Sequence, residues 1–206
     1  MTSTQQLARD ERVEFASFLE GLAPEQWDRP TLCDKWTVRE VAIHTVSYDE
    51  LTAGGLVARF LKGRLNTDRI NAIGVADYAD RSPEQIVALI RAHTEPHGLT
   101  GGFGGKIALT DGMIHQQDIR RSLGLPRTID AERLRTALDF ARFAPTLRGA
   151  WLARGVRLVA TDIDWAYGNG PEVRGSGEAL LMAMAGRRAA LDDLEGPGKA
   201  KLAQRF

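Results

Sequence analysis

Two histidines and one aspartate carry the most specific chemistry in this sequence. His44 and His115 each sit inside a strongly helical stretch, and Asp111 lies four residues before His115. Positions i and i+4 share a helix face, so Asp111 and His115 can point at one ion while His44 reaches it from a neighbouring helix. Two imidazoles and a carboxylate are a common ligand set for zinc and other divalent metals. Three protein ligands leave coordination positions open, the arrangement of a catalytic site rather than a closed structural one. Spacing alone does not decide the matter, because a histidine on an amphipathic helix more often belongs to a core or a surface.

Other residues compete for attention. The remaining histidines, His93 and His97, are also four apart, but they flank Pro96 beside a glycine-rich stretch and read as surface residues. Cys33 is the only cysteine. A loop position near a helix start can lower a thiol pKa, against which stands the favoured reading of a small buried residue. Trp27 and Trp36 bracket that loop and would pin it to the core. Asp118, three residues after His115, can accept a proton from the His115 ring or pair with Arg120 or Arg121, and the sequence weighs the two equally. Residues 101–105, GGFGG, lack the order of a phosphate-binding loop and follow no strand. They read as a mobile loop able to cover the metal. Arg120–Arg121 and Arg187–Arg188 read as solvated faces, although an anionic thiol cofactor or carboxylate substrate would need an arginine fork.

The whole chain sets bounds on what these residues can serve. At 206 residues it can bury a real core without disulfides or a structural metal. Lys plus Arg equals Asp plus Glu at 27 each, which argues against broad binding to nucleic acid. A single cysteine permits no intrachain disulfide and suits a reducing cytoplasm. The start, MTSTQQLARDERVEF, lacks the apolar core of a signal peptide. No run of 18 apolar residues occurs, so no membrane span is expected.

The elements that must position the candidate ligands are helices. Residues 4–22 carry Leu7, Val13, Phe15, Phe18, Leu19 and Leu22 at largely helical spacing. Thr37 and Glu40 form a capping box that opens a helix running to about residue 62, loosened at Gly54–Gly55 and ended by Gly63. Ser82 and Pro83 open another helix, to about His93. A fourth runs from Ile107 to Leu123, with Gly124 as its C-cap. Asp130 caps a further helix that ends before Pro145. After Arg148, residues 156–161, 163–167 and 172–174 read as strands, 177–191 as a last helix and 196–206 as a loose tail. The expected architecture is α+β: a helical bundle over 1–126, then a small α/β domain over 127–206.

Two segments resemble a known family. In QWDRPTLCDKWTVREVAIHT, the residues Trp27, Pro30, Thr31, Cys33, Trp36, Thr37, Val38, Arg39 and His44 match a motif of the mycothiol-dependent maleylpyruvate isomerase family. In DGMIHQQDIRRSLG, the residues His115, Asp118, Ile119, Arg120, Leu123 and Gly124 match a second motif, which opens on a glutamate where this chain has Asp111. Asp162, Trp165, Gly170, Val173, Gly175, Leu181, Gly186 and Arg187 also follow the pattern of that family's second domain. The resemblance implies a DinB-like four-helix bundle with the metal on His44, Asp111 and His115. Aspartate is one methylene shorter than glutamate, so the helix must come closer or a water must intervene.

The same resemblance implies a cytoplasmic metalloenzyme of small molecules. Its cofactors would be a divalent metal (zinc, with nickel and manganese as alternatives) and mycothiol. The thiol, made a thiolate by the metal, would isomerise a small electrophile or be transferred to it. Arg187 is the candidate for holding an anionic group of the cofactor or substrate. The competing readings are a non-catalytic metal- or small-molecule-binding protein of the DinB-like group, and a structural or lipid-binding protein with a vestigial site. No nucleic acid or membrane partner is expected.

Overall fold

The computed structural model describes residues 2–144 and 147–206, and the chain divides into two compact units, 1–126 and 127–206. In the first unit, α1 (Thr4–Glu20) is capped by Ser3, whose hydroxyl accepts from the Gln6 amide at 3.2 Å. Helix α2 (Val38–Val46) opens on the expected capping box: Glu40 accepts from the Thr37 amide at 2.8 Å, and Thr37 accepts from the Glu40 amide at 3.3 Å. Helix α3 (Ala53–Lys62) follows a break, so the single helix expected over 37–62 is two. Ser47 ends the first, and Thr52 caps the second by accepting from Gly55 at 3.1 Å. Helix α4 (Thr67–Ala76), capped by Asn66, was not anticipated. Helix α5 (Pro83–Ala92) starts at its own Ser82–Gln85 capping box. Helix α6 (Lys106–Leu123) ends where Gly124 adopts φ +68°, a left-handed conformation that costs glycine little.

Helices α1, α2, α5 and α6 form the bundle: α1 packs on α5 and α6, and so does α2. Phe15, Leu19, Trp27, Val41, Ile43, Val46, Ile86, Ile90 and Ile119 meet in its core. Each large apolar side chain so buried contributes roughly 1.5–3 kcal/mol. Helix α4 packs on α2, and α3 packs on α4. Helix α3 is unusual in what it hides. Its one fully buried residue is Arg59, while Val57 and Leu61 are 60% and 68% exposed. The Arg59 guanidinium donates to the Ser47 carbonyl at 2.9 Å and pairs with Asp77 at 3.1 Å.

The second unit opens with α7 (Ala131–Ala141), capped by Asp130 as expected; Pro145, the expected stop, lies outside the described residues. A short helix α8 (Gly149–Leu152) precedes the sheet. Strands β1 (Arg157–Ala160), β2 (Ala166–Gly168) and β3 (Glu172–Gly175) pair in the order β2-β1-β3, antiparallel on one side of β1 and parallel on the other. Helix α9 (Gly177–Met184) then stops at Gly186, where φ is +82°, and the chain continues as a 3-10 turn over Arg188–Asp193 rather than as one helix to 191. The tail is not loose. It forms α10 (Lys199–Ala203) and buries Leu202. Among the described residues, no helix is long and apolar enough to cross a membrane.

Candidate metal centre

Helix α2 presents His44 and α6 presents Asp111 and His115. The two helices pack together, and the three side chains converge. The His44 Nε2 lies 3.8 Å from one Asp111 oxygen, and the His115 Nε2 lies 3.6 Å from the other. All three donor atoms fall within 4.8 Å of one another. Ligands about 2.0–2.2 Å from a tetrahedral ion stand about 3.3–3.6 Å apart, so small shifts would seat a cation between them. The imidazole rings meet edge to face, with centroids 4.8 Å apart.

The donor chemistry fits a cation. The His115 Nδ1 lies 3.1 Å from an Asp118 oxygen, and Asp118 is fully buried. An ionised carboxylate there would accept from Nδ1–H, and Nε2 is the ring atom that faces Asp111. A proton on Nε2 or a cation between the two groups would satisfy that pair, and two imidazoles with a carboxylate are a donor set suited to a divalent ion. Asp118 thus takes the role of holding the ring, the first of the two open to it in the sequence. Its backbone carbonyl also accepts from the Leu32 amide at 3.3 Å, which ties the Thr31–Trp36 loop to the same turn of α6.

Burial divides the site into a wall and a mouth. Both histidines are 7% exposed, whereas the Asp111 side chain is 43% exposed. Trp36 lies over the rings, with centroids 4.7 Å from His44 and 6.2 Å from His115. It therefore lines the site rather than serving only as a core anchor. Cys33 is half-buried, and its sulfur lies within 4.8 Å of donor atoms on His115 and Asp118. It is half-buried rather than the small buried residue expected, and it lies close to the candidate ligand His115.

Tyr48 was missed by the sequence reading, although it stands four residues after His44. Its ring lies edge-on to His44 at 6.2 Å, and its hydroxyl donates to the Asn71 side-chain oxygen at 2.5 Å. Burial, opposed by Arg59 and reinforced by Asp111, pushes its pKa up to about 12. At neutral pH it is a phenol, able to donate but not to act as a base. Asn71 belongs to α4, the helix that carried no expectation.

The other candidates fall elsewhere. His93 faces Glu50, with Nε2 3.8 Å from the carboxylate, and His97 lies between two backbone carbonyls. Residues Gly102–Gly105 form a 3-10 turn leading into α6, with Phe103 at φ 54° and exposed. Arg187 follows α9 in the second unit, half-buried, and donates to the Ala185 carbonyl at 3.0 Å.

Residues 8–97 match the sequence profile described as the mycothiol maleylpyruvate isomerase N-terminal domain. The matched stretch is somewhat less than half of the chain. It includes His44, whereas Asp111 and His115 lie beyond it. Two crystal structures share the fold of the chain. One is of the mycothiol-dependent maleylpyruvate isomerase, at 13% identity and a TM-score of 0.55. The other is of a histidine-to-alanine mutant of that isomerase, at 14% identity and a TM-score of 0.55. In both, the likeness covers 97% of this chain and 97% of the other. No curated protein matches the chain.

Proposed function

We propose that this protein is a metal-dependent enzyme that uses a low-molecular-weight thiol, mycothiol, either to isomerise a small electrophile of the maleylpyruvate kind or to be joined to it through its sulfur. The observation that carries the reading is the convergence of His44, Asp111 and His115, two buried imidazoles and a half-exposed carboxylate, with ring nitrogens facing the carboxylate oxygens. A divalent ion held there, zinc by ligand type, would keep a coordinated thiol in its thiolate form.

The protein's own groups serve that chemistry in distinct ways. Asp118 fixes the His115 ring so that Nε2 faces the ion. Trp36 covers the imidazoles and excludes water from that side. The exposed flank of Asp111 leaves an approach for the thiol and its substrate. Tyr48 stands edge-on beside His44, with its hydroxyl donated to Asn71. Arg187 is proposed to hold an anionic group of cofactor or substrate, as the family pattern implies. The reading places the protein in the cytoplasm, where small thiols are kept reduced.

The test is calorimetry of mycothiol binding to zinc-loaded protein in two buffers of different ionisation enthalpy, with turnover of maleylpyruvate followed in parallel. A free thiol has a pKa near 8.5, so binding as thiolate should release a proton at neutral pH. The Arg187→Ala variant should lose turnover while keeping its metal. Full metal loading without thiol binding at millimolar concentration would leave a non-catalytic metal-binding protein as the better reading.

A further inference from the structure

The loop that leads into α6 is fastened by a network unrelated to the metal ligands. Asp49, buried just beyond α2, is its node. Arg12 of α1 pairs with the Asp49 carboxylate at 3.0 Å, and the Thr100 hydroxyl reaches the other oxygen at 2.6 Å. Arg12 also donates to the His93 carbonyl at 2.5 Å. His97 binds the backbone of the same residue: its Nε2 lies 2.7 Å from the Asp49 carbonyl, while its Nδ1 lies 3.1 Å from the Glu95 carbonyl.

The two His97 contacts constrain its charge. A backbone carbonyl can only accept, and a neutral imidazole carries one N–H. Both contacts are hydrogen bonds only when both ring nitrogens are protonated. We infer that His97 is held as the imidazolium and works as a proton-operated latch, bridging the Glu95 and Asp49 carbonyls while charged and keeping only one of those two bonds when the proton leaves.

The surroundings agree in sign. The Glu95 carbonyl and then the Asp49 carbonyl raise the His97 pKa above its ordinary value of 6.5; partial desolvation opposes them, the Asp49 charge reinforces them and the Arg12 charge opposes them. The neighbouring titratable and charged groups are His93, whose ring lies 5.5 Å away, Glu50 facing His93, and Glu95, which pairs with Arg9. A raised folded-state pKa means the latch contributes fully below the unfolded value near 6.5. It is lost as pH rises through the higher folded value. The charged donor also makes each bond stronger than its neutral counterpart.

Release would be felt next to the metal ligands. Thr100 and Asp111 both line a cavity of about 20 Å³, which they share with Arg12, Thr45 and His93. That is room for one water. A looser loop would widen this cavity beside Asp111. The consequence for the site rests on the metal reading, but the latch itself does not.

The experiment uses the full chain, metal-free and zinc-loaded. Nitrogen-15 NMR of the histidine rings should show both His97 nitrogens protonated at about pH 6, with titration above the free-histidine value. Amide exchange of residues 98–105, corrected for intrinsic rates, should quicken as His97 titrates and show no such step in His97→Gln. A neutral ring at about pH 6, titration at or below the free value, or an unchanged step in His97→Gln would each overturn the latch. The ring titration needs no variant, so it decides even if His97→Gln folds poorly. A latch seen in metal-free protein stands whether or not the centre binds zinc, which separates its failure from that of the functional reading.

Discussion

Asp111 with His115 and His93 with His97 have the same spacing in the sequence and different fates. The first pair lies inside the unbroken 18-residue α6, where four residues make one face and the carboxylate meets the ring nitrogen at 3.6 Å. The second pair begins where α5 has ended. His93 is its C-cap, at φ −115° and ψ 39°, and Pro96 follows. The rings still approach to 5.5 Å, but one turns to Glu50 and the other to backbone carbonyls. Ligand spacing carries information only where the backbone between the two residues is helical.

The largest effect that could break this contrast is loss of a ligand. His44→Ala and His115→Ala should each weaken zinc binding by more than about 100-fold, since removing even an outer-shell partner typically costs 10–100-fold. Elemental analysis after dialysis reads this, with helical circular dichroism kept as the control for folding. One equivalent of metal retained at unchanged affinity in both variants would show that the ligands lie elsewhere. A smaller loss is expected for Asp118→Asn, about 10–100-fold in affinity, because the ring stays but is no longer held by a charged acceptor. If affinity in that variant is unaltered, the buried carboxylate is not orienting His115. The smallest effect sharpens the contrast from the other side. His93→Gln should shift zinc affinity by less than about twofold, as expected of a group that touches no ligand, and a tenfold loss would draw the second pair into the site.

What could be read from the sequence was local. The Thr37–Glu40 and Ser82–Gln85 boxes close as their residue types require, and Gly124 ends α6 in the left-handed conformation it was expected to supply. Helical spacing put Asp111 and His115 on one face, but it was the resemblance of two motifs, not periodicity, that joined His44 to them. The break between α2 and α3 was put too late: Gly54 and Gly55, read as loosening the helix, lie in the first turn of α3, and Thr52 just before them is its cap. Helix α4 was passed over although Asn66 caps it, its side chain accepting from the Arg69 amide at 3.0 Å. Burial of Leu202 and the approach of Cys33 and Trp36 to the candidate ligands are tertiary facts, set by which surfaces pack and not by any pattern along the chain.

Helix α3 turns Val57, Leu61 and the following Leu65 to water and spends its interior contact on Arg59. Gly74 makes that possible, since a side chain there would begin 2.7 Å from the guanidinium nitrogen. Parting α3 from its neighbours therefore uncovers less apolar surface than melting the bundle, chiefly at the half-buried Leu56 and Phe60, and water can replace the hydrogen bonds that are lost. Opening of that kind carries a small heat-capacity change and a shallow dependence on denaturant, unlike melting of the bundle. It also lies low on the ladder of partial unfolding. Amides of residues 53–62 should exchange while α6 is still protected, at a rate that low urea barely alters; equal protection of the two helices would contradict this.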